Sequence, residues 1–428
     1  MQIKRLERRI QPEFKLIDKI NIVKAEKTKL DNQIPVYYIN AGTQDLVKID
    51  FIFNAGSWVQ DKKLIASTTN AMLLESTKTF SAHQIAEKLD FFGSYLQNES
   101  NKHFGTLTIF ILNKYLKEGL EIVSDVLMNP IFPKKELKTL LKNRLQNFII
   151  NNQKNDKVAR EIFNEMIFGS EHPYGKKYYE SDFTNISRND IINFYEKYYN
   201  LNNCNIVISG KIDDNHFKEL NNYFGKVKLI NNNQAVDNIF EITPYLNKKI
   251  YEEKEGAFQT AIRIGKPTIN MLHPDYNGLQ IVNTIFGGYF GSRLMSNIRE
   301  DKGYTYGIGS GLGTLLKSGY FVIVSEVKKE VKEDAINEIY LELDKMQYEL
   351  VSEEELNVVR NYMMGEVLRG FDGAFSLSEV FKNLFEYNLD YDYFENLIHT
   401  IKNITREEIQ RLSIKYLQKD TMFEVAVG

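Results

Sequence analysis

Apolar positions along this chain change their period repeatedly, and each change marks an element. Val36-Tyr37-Tyr38-Ile39 and the run from Val47 to Phe53, parted by a turn at Gly42, read as strands. Helical spacing follows from Ile65 to Leu74 and again from Ser81 to Phe92, where Ser81 suits an N-cap and Gly93 the residue after the C-cap. Beyond a polar stretch lies the strand Gly105 to Ile111. An amphipathic helix runs from Leu116 to Leu127, its end punctuated by Pro130 and Pro133. Helical patterns continue through Phe148, from Val158 to Phe168 and from Ile186 to Tyr199. A strand from Cys204 to Ser209 closes the first half.

The order then repeats. Asn185-Ile186-Ser187-Arg188-Asn189-Asp190-Ile191 and Asn403-Ile404-Thr405-Arg406-Glu407-Glu408-Ile409 correspond at an offset of 218 residues. Each leads into a helix carrying Lys-Tyr (Lys197-Tyr198, Lys415-Tyr416) and a strand ending in glycine, Gly210 or Gly428. Gly105-Thr106-Leu107-Thr108-Ile109 matches Gly319-Tyr320-Phe321-Val322-Ile323 at an offset of 214. A shared order at a near-constant offset predicts an α+β protein of two duplicated halves, each with mostly antiparallel strands packed with helices. The halves are expected at 1–211 and 248–428, with a less regular linker over 212–247 that carries Asn231-Asn232-Asn233.

The second half centres on the stretch from Phe286 to Gly309. Gly287-Gly288 opens it, where the backbone can turn or approach a neighbour closely. Leu294, Met295 and Ile298 follow at helical spacing, and Gly303 ends the run as a C-cap glycine does. Tyr304, Tyr306 and Ile308 then alternate as a strand. Arg299 is therefore expected in the last helical turn and Tyr306 on the departing strand, the two presenting guanidinium N–H groups and a phenol to one region. Such a pair suits a peptide carbonyl. The bland readings are that Arg299 pairs with Glu300, Asp301 or Glu326 and that Tyr306 packs in the core, while Tyr304 rivals Tyr306.

Composition narrows the classes. Over 428 residues, 43% hydrophobic and 26% charged, the chain is an ordinary globular protein, and a net charge of −3 without charge blocks implies no nucleic-acid partner. The one cysteine, Cys204, excludes an intrachain disulfide and any cysteine zinc cluster, and its apolar context predicts a buried strand residue. The basic start Met1 to Ile10 has no apolar region behind it, and no run reaches the roughly 18 apolar residues of a membrane helix, so the expectation is a cytoplasmic protein. His83 and Glu87, one turn apart, read as a surface pair, since two ligands without a third make a poor metal site.

The duplication, Gly287-Gly288-x3-Ser292-Arg293-Leu294 and Arg299-Glu300-x2-Gly303-x2-Tyr306 resemble the pitrilysin/insulinase family of zinc peptidases, as do Thr77-Lys78-Thr79-x-Ser81-Ala82-x2-Ile85-Ala86-x2-Leu89-x3-Gly93 and His172-Pro173-Tyr174-Gly175. The resemblance runs from about Asn21 to Gly428. Catalytic members carry His-x-x-Glu-His on the helix ahead of the position of Ser76-Thr77, two histidines holding zinc and the glutamate activating water. Carried over, the histidines fall on Ser67 and Ala71, the base on Asn70 and a third ligand near Asn147. No histidine lies between Ala55 and Ala82. The resemblance thus implies a non-catalytic subunit with no metal or catalytic residues of its own, whose Arg299 and Tyr306 hold peptide substrate for a heterodimer partner that bears the zinc. The alternatives are a structural or assembly subunit and a self-associating peptide-binding protein.

Overall fold

In the computed structural model, which describes residues 20–229 and 238–428, the strands assemble into two sheets. The first contains β1 (Glu26–Lys29), β2 (Pro35–Asn40), β3 (Leu46–Phe53), β4 (Tyr95–Ser100), β5 (Gly105–Leu112) and β6 (Cys204–Gly210), in the order β1-β2-β6-β3-β5-β4. The second contains β7 (Lys249–Glu252), β8 (Gln259–Thr268), β9 (Thr305–Leu315), β10 (Ser318–Lys328) and β11 (Phe423–Val427), in the order β7-β11-β8-β10-β9. With β1 set aside the two orders are the same. In each, the last strand runs parallel to the first and the other pairings are antiparallel. The duplicated α+β architecture expected from the offsets is present, and the repeat is one of topology.

The halves exchange helices. Helix Asn155–Phe168 belongs to the first half in sequence but lies on β8 and β11 of the second sheet, where Phe163, Met166 and Ile167 pack with Ala261, Val425 and Val427. Helix Ala374–Glu386 lies in turn on β2 and β6, its Phe381 ring 5.0 Å from that of Tyr37. These helices begin 219 residues apart, so the exchange is itself duplicated. Burying an apolar face of one half on the other makes the halves depend on each other for their cores.

Polar groups seal the same seam. Lys48 and Asp50 of β3 are 3% and 0% exposed, because helix Ala374–Glu386 covers them. The His172-Pro173-Tyr174-Gly175 segment lies here too: the Tyr174 hydroxyl accepts the Lys317 N–H (3.2 Å) from the β9–β10 turn, and the phenol also contacts His103 Nε2 at 2.6 Å. Burial, reinforced by Lys102, pushes His172 down to about 4, so its ring is neutral and serves packing.

Two features depart from the sequence pattern. The stretch expected as an irregular linker begins with the capped helix Asp214–Leu220, and Leu220 and Phe224 are fully buried in the first core. The asparagine run and the first ten residues lie outside the described residues. Strand β4 is polar and sits at a sheet edge, as does β1, so both lack the apolar alternation that marked β2, β3, β5 and β6. Cys204 is buried in β6 as its context indicated, its thiol pushed far up by desolvation.

The repeated Lys-Tyr motif anchors a loop in each half. Tyr198 donates to the Val59 carbonyl at 3.0 Å, while Tyr416 and Lys415 reach Asp275 at 2.8 and 2.7 Å, with Arg411 at 3.3 Å. Burial acts to raise the Asp275 pKa, but these donors overcome it and hold the carboxyl at about 2. A carboxyl depressed below its unfolded value near 3.8 stabilises the fold above that value and loses the contribution as pH falls through 2. Asp275→Asn is therefore expected to cost about 1–2 kcal/mol at pH 7 and little at pH 2, as urea unfolding at the two pH values would show.

Candidate functional site

Helix Ile65–Met72 holds the positions where the resemblance places metal ligands. It starts abruptly after Leu64, whose φ of +67° is left-handed, and buries Ile65, Ala66, Thr68, Thr69, Asn70 and Met72. Ala71 has no donor atom. The Asn70 carboxamide is buried and donates to the Tyr199 hydroxyl at 3.0 Å and the Thr106 carbonyl at 3.3 Å. A carboxamide cannot take a proton from water, and this one is committed to the fold. Asn147, near the third position, points to an exposed part of helix Lys134–Asn151.

One turn before Asn147, the same helix sends Arg144 into the site. Its guanidinium donates to the Thr68 hydroxyl at 2.9 Å, the Ser67 carbonyl at 3.1 Å and the Ser67 hydroxyl at 3.3 Å. Desolvation lowers its pKa from a value so high that the group stays charged. A fixed cation braced on one of the carried-over positions opposes a dication there. The donor set does not fit zinc, and among the described residues no three His, Cys, Asp or Glu side chains form a metal-holding group. His83 and Glu87 form an exposed pair at 3.1 Å.

The second-half stretch is built around close backbone approach. Helix Tyr276–Asn283 widens into a π-turn over Thr284–Gly288 that abuts β9. A Cβ at Gly287 would stand 2.5 Å from the Ser310 hydroxyl and 2.7 Å from its amide nitrogen, so only glycine fits. A second π-helical segment, Met295–Asp301, carries Arg299; Gly303 ends it at φ +66°, with the Tyr304 N–H donating to the Ile298 carbonyl at 3.0 Å. The helix expected here is thus wider than an α-helix, a geometry met often at functional sites. The Arg299 guanidinium stacks on Phe290 at 4.7 Å, and among the described residues no carboxylate pairs with it, Glu300, Asp301 and Glu326 included.

Tyr306 is 93% exposed, whereas Ile308, two residues on, is 6% exposed. Simple alternation would put both on one face. The cause is a β-bulge: Ile308 faces Ser325 and Thr305 faces Val327, leaving Tyr306 and Gly307 opposite Glu326 alone. Hydroxyls pin it. Thr305 Oγ1 lies 2.7 Å from the Glu326 carbonyl and 3.1 Å from the Gly307 N–H, and Ser325 Oγ lies 3.0 Å from the Gly307 carbonyl. Tyr304 packs against the second core instead, which separates it from its rival.

Tyr306 lines a cleft of about 620 Å³ between the exchanged helix, through Asp156, and strands β8, β9 and β10, with Arg263 and Glu326 in its wall. Arg299 does not line this cleft, and no contact joins it to Tyr306. Tyr306 stands exposed at the start of strand β9, whereas Arg299 lies half-buried against Phe290 on the preceding helical segment. The pattern of the sequence missed Arg144, the Thr305/Ser325 brace and Arg263. Of these only Thr305 left a signal, a hydroxyl two residues before Gly307 at the start of β9, since Ser325 lies on β10.

Family models match most of the length of the chain: that of the insulinase peptidases (peptidase family M16) over residues 36–175, and that of the M16 inactive domain over 185–363. A protein of Rickettsia felis described as an uncharacterized zinc protease is 26% identical over 390 residues, covering 89% of this chain and 92% of its own. The non-peptidase homolog YmxG of Helicobacter pylori is 24% identical over 400 residues, 88% of each chain. In fold, the crystal structure of a peptidase M16 inactive domain from Pseudomonas fluorescens matches with a TM-score of 0.81 at 23% identity, covering 94% of this chain and 98% of that one. With its duplicated topology and a ligand set that does not fit zinc, the chain belongs to the insulinase (M16) peptidase family as an inactive homologue.

Proposed function

We propose that this chain is the non-catalytic, substrate-binding subunit of a heterodimeric zinc peptidase. In this reading its partner is a family paralogue that carries His-x-x-Glu-His and the zinc, and this chain supplies half of the chamber wall. Arg299 and Tyr306 hold the backbone of the peptide substrate. The observation that carries the reading is the contrast between two sites. Ser67 and Asn70, at carried-over positions, are engaged by the fold, whereas Tyr306 stands exposed on a pinned bulge and Arg299 rests on Phe290 with no carboxylate partner among the described residues.

Guanidinium and phenol donors engage peptide carbonyls whatever the side chains, so they orient a substrate without selecting it. A division into two halves and a cytoplasmic setting belong to the same proposal. Among the described residues no helix is long and apolar enough to cross a membrane.

The test is a tagged pull-down from the native cell, with the retained chains identified by mass spectrometry. A retained chain of similar size bearing His-x-x-Glu-His, giving peptide cleavage only when the two are combined, is the expected result. Full activity of that chain by itself, or recovery of this chain alone, overturns the reading.

A further inference from the structure

A second recess lies away from the cleft. Helix Lys134–Asn151 and the segment 183–188 enclose a groove of about 480 Å³. Its floor is apolar, formed by Leu137, Leu141, Leu145, Phe183 and Ile186. Lys134, Lys138 and Lys142 line one side, exposed, and among the described residues none of them pairs with a carboxylate. Placed at i, i+4 and i+8, the three cations form a row along the helix about 12 Å long. The leucines form a parallel row three residues along, so apolar floor and cationic rim run side by side.

We infer that this groove is a docking site for an acidic amphipathic helix of a partner protein. The charge row decides between occupants. A single-headed anion such as a fatty acid satisfies one cation and leaves two, whereas a helix with carboxylates on successive turns meets all three at the same pitch. Its apolar face then lies on the leucine row, the helix-in-groove mode of recognition. The concave floor lies below the lysine rim, a shape that suits an inserted helix better than a flat lipid surface. The inference is independent of the Arg299/Tyr306 reading, because none of these residues contacts that region.

The probe is a fluorescein-labelled helical peptide with leucines at i, i+3 and i+7 flanked by glutamates, titrated with the full chain and followed by anisotropy. A control peptide replaces each glutamate with lysine. Saturable binding of the acidic peptide alone is expected. It should weaken about tenfold in the exposed-residue variant K138E/K142E and fall as salt is raised. Absence of saturable binding, equal binding of the basic peptide, indifference to K138E/K142E, or competition by equimolar palmitate overturns the inference. So does a groove closed by a second copy, seen as a dimer in sedimentation that K138E/K142E dissociates.

Discussion

Arg299→Ala is expected to lower kcat/KM of the reconstituted peptidase pair by about 10²–10³-fold while leaving the fold of this chain intact. The magnitude is that of removing one preorganised donor from a water-excluded site where charge develops on a carbonyl oxygen. Preorganisation is visible: the guanidinium rests on Phe290 at 4.7 Å, and Gly303 fixes the end of its helical segment. Because Arg299 makes no ion pair among the described residues, truncating it costs little stability, and thermal unfolding of the variant should overlay that of the wild type. The division between kcat and KM is informative. A loss carried by kcat marks a contact made in the transition state, while a rise in KM alone marks uniform binding. Arg299→Lys keeps the charge and loses the planar fork, so it should recover only a part. Unchanged turnover in the Ala variant removes Arg299 from the mechanism.

Local signals in the sequence carried much of the fold and of this site. The strands β2, β3, β5 and β6 and the position of Arg299 near a helix end followed from period and from glycine chemistry, both of which act over a few residues. What was not legible depends on partners distant in sequence. Alternation in Leu46–Phe53 marks Lys48 and Asp50 as the polar face of a strand. Nothing local says that a helix more than 300 residues later covers that face. The exposure of Tyr306 hangs on one extra residue in its strand, which inverts the alternation that a period-two reading assumes. Arg144 is a similar case: its helix was predicted, but the guanidinium finds its acceptors on Ser67 and Thr68 across the fold.

The same long-range burial sets the largest expected stability effect, at Lys48. Asp50 has no exposed surface, and its partners are Lys48 Nζ at 3.1 Å, Lys382 Nζ at 3.3 Å and the Thr108 hydroxyl at 2.6 Å. Glu379, also on the covering helix, completes the cluster by pairing with both lysines. Lys48→Met leaves the carboxylate buried with one cation fewer, and loss of one member of a buried pair costs about 3–5 kcal/mol. Lys382 and Thr108 remain, so a value near 3 is expected. The double variant K48M/D50L removes charge and countercharge together and should recover most of that loss, since a buried pair repays little beyond its own desolvation. Urea unfolding followed by the single tryptophan, Trp58, which packs in the seam cluster with Phe163, Ala261 and Val425, and by far-UV circular dichroism of the whole chain distinguishes the outcomes. Because the cluster joins the first sheet to a helix of the second half, both signals should shift together in Lys48→Met. A shift in the tryptophan signal alone would mean that the seam does not couple the halves. A double variant as unstable as the single one would mean that Lys48 acts through packing of its aliphatic stem.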